Sequence, residues 1–236
     1  MGLADLHIHT IYSIDGTASV SDVLRRAKLA ELDVISITDH DEIRGALKAL
    51  ELAPSHGVDV IPGIEITTAE GHLLALNITQ KVPPELPLEE TILQVGELGG
   101  ICIAPHPMAG GIGMKSLSAQ SIIKVLRNPR VAGILVGIEA YNATTLDRLS
   151  NHYASVLANR LEIARVGNSD AHVLDAIGLG ATEFEGSTAS DLLDALHRGA
   201  THVLRKRKWS AFKVMSSWGL NYLGSALARM GGEAYG

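Results

Sequence analysis

Residues 33–67 read DVISITDHDEIRGALKALELAPSHGVDVIPGIEIT, and the alternation within this stretch decides the fold. Asp33–Thr38 is a short Val/Ile run of strand character, Asp41–Ser55 has helical spacing, and Asp59–Thr67 is strand-like again. A strand, a helix and a strand in succession make the unit of a parallel sheet with crossovers. The unit recurs on both sides. Upstream, Leu3–His9 reads as a strand, and Ser19 can cap a helix running through Glu31. Downstream come strands at Leu73–Ile78, Gly100–Ala104, Val131–Ile138 and 163–167, with helices over 85–98, 117–127 and 143–162. A short β-like piece follows Gly180, then a helix over Ser190–Arg198 with Ser187 or Thr188 as its cap. Seven short apolar strands in an α/β pattern of this length predict closure into a barrel.

Composition sets the outer bounds. With 236 residues, 46% of them hydrophobic and 19% charged, the chain can bury one large core and is not disordered. No low-complexity tract or Pro/Gly/Ser-rich linker divides it, so one domain is expected. The single Cys102 excludes an intramolecular disulfide framework, and the absence of a charged leader followed by an apolar stretch makes a cytoplasmic location the expectation. No apolar run approaches a bilayer span. The net charge of −6 argues against a protein that coats nucleic acid, but it is unevenly spread. Residues 196–236 hold seven Lys/Arg against Glu233 alone, so the remainder carries −12, a balance suited to holding cations.

The chemistry-bearing residues fall at predicted strand ends. Of ten histidines, His7, His9, His40, His106 and His172 lie at or just after such ends, and His72 precedes a strand. In a parallel α/β barrel that rim is where side chains from separate strands converge on one pocket. His7 and His9, two apart, share a strand face and can bind one ion. Thr38-Asp39-His40-Asp41 joins an imidazole to carboxylates, and it could equally cap a helix. Glu65 lies among apolar residues where an unpaired carboxylate would cost several kcal/mol, which calls for a cation beside it. Pro105-His106-Pro107 holds the backbone on both sides of an imidazole, and Asp170 and His172 end the last barrel strand two apart. Each signal alone has an ordinary reading as a core histidine, a turn or a surface loop. Five on separate strands, all of ligand type, point to a multinuclear metal site.

The motif order resembles the polymerase and histidinol phosphatase (PHP) family of metal-dependent phosphoesterases. The likeness rests on Asp-x-His-x-His at 5–9, Thr-Asp-His at 38–40, Glu65, His72, Pro-His-Pro at 105–107 and Ser-Asp-Ala-His at 169–172, over roughly residues 3–205. It implies a distorted seven-stranded β/α barrel with two or three divalent ions (manganese, zinc or iron, with magnesium possible) at the C-terminal rim. Carried across, His7, His9, Glu65 and Asp170 would hold one ion, and a bridging Glu65 with His72 and His106 a second. Asp15, His40 and His172 would hold a third, Asp15 standing where other members place a histidine. A carboxylate there favours harder ions. Asp15-Gly16 can also be read as a turn.

The activity implied is hydrolysis of phosphate esters of nucleotides or of RNA and oligonucleotide ends by a metal-activated hydroxide. Glu65, Asp170 and His172 are the catalytic candidates, with Arg44 or Arg165 holding the remaining phosphate oxygens. Asp5 and Asp39 are expected to accept a histidine's second N–H, and Glu139 to order water behind the ligands or touch substrate. Only 33 residues separate His72 from His106, where related nucleotidases generally insert a covering helical domain, so an oligonucleotide end or a phosphorylated metabolite could enter. A small-molecule phosphatase of the histidinol-phosphate type and a non-catalytic, metal-stabilised accessory module are the alternatives.

Residues 1–204 are taken as the barrel and 205–236 as a basic, amphipathic C-terminal helix. Arg205-Lys206-Arg207-Lys208 precedes Ala211, Met215, Trp218, Tyr222 and Ala226 at helical spacing. That helix could pack over the barrel, contact nucleic acid, lie on an anionic membrane or self-associate.

Overall fold

The computed structural model describes residues 1–110, 115–205, 213 and 216–222. The elements run β1 (Gly2–Ile8), α1 (Val20–Leu29), β2 (Val34–Ile37), α2 (Arg44–Leu52), β3 (Asp59–Val60), β4 (Gly63–Thr67), β5 (His72–Leu76) and α3 (Leu88–Glu97). Then come β6 (Ile101–Ala104), α4 (Ala119–Val125), α5 (Pro129–Ala132), β7 (Leu135–Asn142), α6 (Arg148–Leu161), β8 (Ala164–Asn168), β9 (Gly180–Phe184), α7 (Ala189–His197) and β10 (Thr201–Arg205). The caps act as their chemistry requires. Ser19 accepts from Asp22 N, and Thr188 forms a reciprocal capping box with Asp191. Helix α1 turns Val20, Val23, Leu24 and Ala27 inward, the stripe a surface helix needs.

The strands form two five-stranded mixed sheets, ordered β10-β9-β1-β2-β3 and β4-β5-β6-β7-β8. The sheets meet at two seams, each through one parallel bridge: His40 with Glu65, and Ile8 with Ala171. Asp41 N donates to Glu65 O at 2.9 Å at the first seam, and His9 N to Ala171 O at 2.9 Å at the second. The expected closed ring is thus two sheets touching at single bridges, with no continuous ladder across either seam among the described residues.

Three local readings are corrected. The strand expected over 59–67 is split at Pro62, which has no N–H to donate. β3 pairs with β2, and the chain then steps to the other sheet at Gly63, where a Cβ would meet Ser36 Oγ at 2.5 Å. The connection Thr68–Gly71 is too short for a helical crossover, so β4 and β5 pair antiparallel with Thr67 opposite His72. Thr68 Oγ1 donates to Gly71 O at 2.6 Å across that turn. β5 also pairs antiparallel with β6, and β9 with β1 and β10, so the sheets are mixed rather than parallel. Finally, 129–132 is a helical turn capped by Asn128, and the apolar strand expected at 131–138 lies at Leu135–Asn142.

β10, the last strand among the described residues, ends at Arg205. Residues 216–222 are helical. Lys206, Arg207, Lys208, Ala211, Met215 and Ala226 of the amphipathic pattern lie outside the described residues. No helix among the described residues is long and apolar enough to cross a membrane.

Candidate metal centre

The strands and their ends carry eight imidazoles and carboxylates to one rim, and a loop adds a ninth. His7 lies on β1 with His9 just beyond it, His40 follows β2, Glu65 sits in β4, His106 follows β6, and Asp170 and His172 follow β8. His72 opens β5, and because that strand runs opposite to β4 its first residue reaches the rim where the others end. Asp15 comes from the loop between β1 and α1. His106 and Asp170 adopt positive φ, 28° and 54°. Such backbone costs about 1–3 kcal/mol per residue and is concentrated at functional sites.

Glu65 is the centre of the cluster. Its Oε2 lies 3.2 Å from His7 Nε2, 3.3 Å from His9 Nε2 and 3.1 Å from His40 Nδ1. Its Oε1 lies 3.0 Å from His72 Nδ1 and 3.1 Å from His106 Nε2. Asp170 Oδ1 is 3.4 Å from His7 Nε2 and 3.3 Å from His9 Nε2, and Asp15 Oδ2 is 3.1 Å from His172 Nε2 and 3.4 Å from His40 Nε2. Four sets have ligand atoms mutually within 4.8 Å: His9, Asp15, His40 and His172; His7, Glu65 and His106; His7, His9 and Asp170; and His40, Glu65 and His72. His9 Nε2, His40 Nδ1 and Asp15 Oδ1 are buried without an aligned hydrogen-bond partner. Buried polar atoms are rarely left so, and a cation among them would take their lone pairs.

Behind the inward atoms, most rings are held by their other nitrogen. His7 Nδ1 meets Glu139 Oε1 at 3.0 Å, His9 Nδ1 meets Ser13 Oγ at 3.2 Å, His106 Nδ1 meets Ser116 Oγ at 3.2 Å, and His172 Nδ1 meets Asp170 O at 3.0 Å. Orienting one ring nitrogen so that the other faces a metal is the usual outer arrangement of such sites. Glu139 does more than hold His7. It also accepts from His106 N at 2.6 Å, Asn142 Nδ2 at 3.1 Å and Asn168 Nδ2 at 2.9 Å, while Asn142 Nδ2 reaches Asp170 Oδ2 at 2.9 Å.

Charge balance follows from this crowding. Burial would lower His7, but the Asp170, Glu65 and Glu139 carboxylates outweigh it and hold the imidazole well above its ordinary value. His9 is pushed up to about 10 against the same desolvation by Asp170 and Glu65. Glu65 and Asp170 are held well below the ordinary carboxylate range despite burial, by His40 and His7 foremost. Asp15 is likewise lowered by His172 and His40.

Asp5, Asp39, Arg44 and Arg165 are placed otherwise than expected. Asp39 touches no histidine nitrogen by hydrogen bond; it accepts from Thr10 N at 2.6 Å and Thr10 Oγ1 at 2.8 Å and so shapes the loop after β1. Arg44 is exposed, paired with Glu42 Oε2 at 2.9 Å, its guanidinium 5.4 Å from the Tyr12 ring centroid. Arg165, near the start of β8 and so away from the rim, donates to Asn159 Oδ1 at 3.0 Å. Asn142, Ser13 and Ser116 enter the site without a sequence motif to mark them; Asn142 closes β7 and Ser13 lies two residues before Asp15, while Ser116, in the segment before α4, carries no sequence signal.

Asp5 accepts from Ser169 N at 3.0 Å and Gly178 N at 2.9 Å, pinning the segment that carries Asp170, and burial raises its carboxyl to about 6. Asp5→Asn keeps one acceptor oxygen and turns an amide N–H₂ toward a backbone donor. The expected cost is about 2 kcal/mol, read as a fall of about 4–8 °C in the thermal midpoint. An unchanged midpoint would show that Asp5 does not anchor this loop.

Comparison with known proteins agrees with this geometry. Residues 5–174 match the PHP domain family, and residues 148–201 match a PHP-associated family. An uncharacterised protein of Methanocaldococcus jannaschii is 35% identical over 161 residues, 64% of this chain and 88% of that one. Shorter matches are the 5′-3′ exoribonuclease of Haemophilus influenzae, 36% identical over 34% of this chain and 30% of the enzyme, and the phosphoribosyl 1,2-cyclic phosphate 1,2-diphosphodiesterase of Eggerthella lenta, 31% identical over 34% and 33%. A two-domain Bacteroides vulgatus protein containing a predicted PHP-like metal-dependent phosphoesterase shares the fold, with TM-score 0.71 at 20% identity over 86% of this chain and 64% of that one. With a family match across most of its length and a rim of clustered imidazoles and carboxylates, the chain belongs to the PHP domain family.

Proposed function

We propose that the chain is a metal-dependent hydrolase of phosphate esters, with nucleotides and RNA ends as its substrate class. The observation that carries this reading is the inward convergence of six imidazoles on Glu65, Asp170 and Asp15, with three buried atoms left without an aligned hydrogen bond. Asp15, Glu65, Glu139 and Asp170 bring four negative charges. Two divalent cations balance them with every imidazole neutral, the state in which histidine ligates. His7, His9, Glu65 and Asp170 would hold one ion, Glu65 with His72 and His106 a second, and Asp15, His40 and His172 a third where all are filled. The mixed nitrogen and oxygen donors, without thiolate, suit manganese, zinc or iron, and Asp15 inclines its cluster toward manganese or magnesium.

When bound, such ions supply Lewis acidity, neutralising phosphate oxygens and lowering the pKa of water toward about 7. The chain's own residues do the positioning. Glu65 sets the spacing of two donor sets through its two oxygens, Glu139 locks the His7 ring, and Asn142 fixes Asp170. The two shorter relatives carry names denoting cleavage of phosphodiester bonds, which supports that bond class. Arg44 and Arg165 lie outside this set. Any contact of residues 205–236 with an oligonucleotide belongs to the same proposal.

The test is a screen of manganese-loaded protein against an aryl phosphate, histidinol phosphate, mononucleotides, nucleoside bisphosphates and short 5′-phosphorylated RNA. Turnover on a nucleotide or RNA substrate, abolished by chelator, is expected. Turnover confined to the aryl ester or to histidinol phosphate would place the chain with small-molecule phosphatases, and no metal-dependent turnover would make it an accessory module.

A further inference from the structure

Among the carboxylates that face the cluster, Asp15 alone is carried by a loop far from any strand end. Glu65 is held within a β-ladder, and Asp170 is fixed by Asn142 and by the segment that Asp5 pins. The Asp15 loop comes to the surface at Ile14, 77% exposed, and is tied on either side of Asp15 by Ser13 N donating to Thr10 O at 2.9 Å and Thr17 Oγ1 donating to His172 O at 2.6 Å. Its backbone is met from the far end of the chain. Trp218, 203 residues downstream in the helical segment 216–222, donates its indole Nε1–H to Asp15 O at 3.0 Å. The indole packs against the hydrophobic core, and Tyr222, one helical turn on, stacks on it with ring centroids 5.1 Å apart. A ring confined in this way aims its N–H in a fixed direction. The Asp15 peptide is thereby oriented, and with it the Cα–Cβ bond that points the carboxylate at His40 and His172.

We propose that Trp218 is a positioning residue for Asp15, so that the C-terminal helix sets how tightly the cluster of His9, Asp15, His40 and His172 holds a divalent cation. The inference rests on the metal-binding reading above. It makes the terminal helix part of the site's assembly, although Trp218 itself touches no ligand atom of the cluster. Losing one such hydrogen bond is expected to weaken that cluster about three- to tenfold and to leave the sets around Glu65 unchanged.

The experiment is manganese titration of the full chain, counting free ion by electron paramagnetic resonance, in the wild type, Trp218→Phe and Asp15→Asn. Phe keeps the packed ring and removes the donor. Asp15→Asn should lose the weakest class of bound manganese. Trp218→Phe should retain that class with three- to tenfold lower affinity, and excess manganese should restore its turnover. If Asp15→Asn loses the class while Trp218→Phe binds as the wild type does, the positioning role is wrong and the metal reading stands. If Asp15→Asn binds as the wild type does, the assignment of Asp15 as a ligand fails and takes the proposal with it. A rate lowered at every manganese concentration, with unchanged binding, would mark Trp218 as merely structural. Should Trp218→Phe fail to fold, the chain carrying Trp209→Phe has Trp218 as its one tryptophan, which is excited at wavelengths where the tyrosines do not absorb. Paramagnetic quenching that tracks filling of the weakest class is then expected, and emission indifferent to manganese overturns the proposal.

Discussion

Glu65→Gln is expected to lose at least one bound metal ion and to reduce turnover by about three orders of magnitude, roughly 4 kcal/mol of transition-state stabilisation. The substitution preserves shape and removes charge. Glu65 is fully buried, and its two oxygens lie within 3.3 Å of five imidazole nitrogens on five separate histidines. No other carboxylate in the cluster spans two donor sets in this way. A glutamine would present one weaker acceptor and one N–H₂ group to rings whose inward nitrogens must carry lone pairs in order to ligate. Elemental analysis of the purified variant, beside a turnover assay, separates the consequences. Full metal content would refute the bridging role of Glu65, and wild-type turnover would refute its part in the chemistry.

Much of this centre is legible in the sequence because it is built from residue types that burial penalises unless something balances them. Histidines and acids at the ends of apolar runs stand out, and the fold brings His7, His9, Asp15, His40, Glu65, His72, His106, Asp170 and His172 together. What is illegible is direction and anchoring. The apolar period of β5 is the same whichever way the strand runs, and only the shortness of the Thr68–Gly71 turn reverses it. That reversal explains why His72 opens its strand and still reaches the rim. The start of β7 is hidden because Val131 and Ala132 are apolar and run on into the strand that follows, while Pro129 at the first helical position, after the Asn128 cap, begins a helix that takes them up.

Anchoring carboxylates are harder still, since a buried acid next to a histidine in sequence need not touch it in space. Asp5 and Asp39, both inside the motifs, hold backbone and hydroxyl groups. Glu139, outside any motif, holds His7 and the backbone of His106.

Stripping the divalent ions is expected to lower the thermal midpoint by about 10–20 °C near pH 8 and by less at pH 6. An ion present at a hundred times its dissociation constant stabilises the folded chain by about 2.7 kcal/mol, so two sites contribute about 5 kcal/mol. In a chain of 236 residues each kcal/mol moves the midpoint by about 2–4 °C. The pH dependence follows from what replaces the ions. Without them, Glu65 and Asp170 are balanced by protonated imidazoles, and His9 is pushed up to about 10 by those carboxylates. A histidine whose pKa is raised on folding contributes stability that is fully present below its unfolded value, about 6.5, and is lost as pH climbs through its folded value. The stripped protein is therefore best stabilised by protons at pH 6 and loses that support as the solution becomes alkaline. The loaded protein behaves in the opposite sense, because ligation requires imidazoles that have given up the proton, so affinity falls toward acid. Calorimetry of manganese-loaded and chelator-treated protein at pH 6 and pH 8 measures both gaps. A midpoint indifferent to chelator would mean that the cluster is balanced by protons alone, and a gap equal at the two pH values would mean that the ions do not compete with protons for His9.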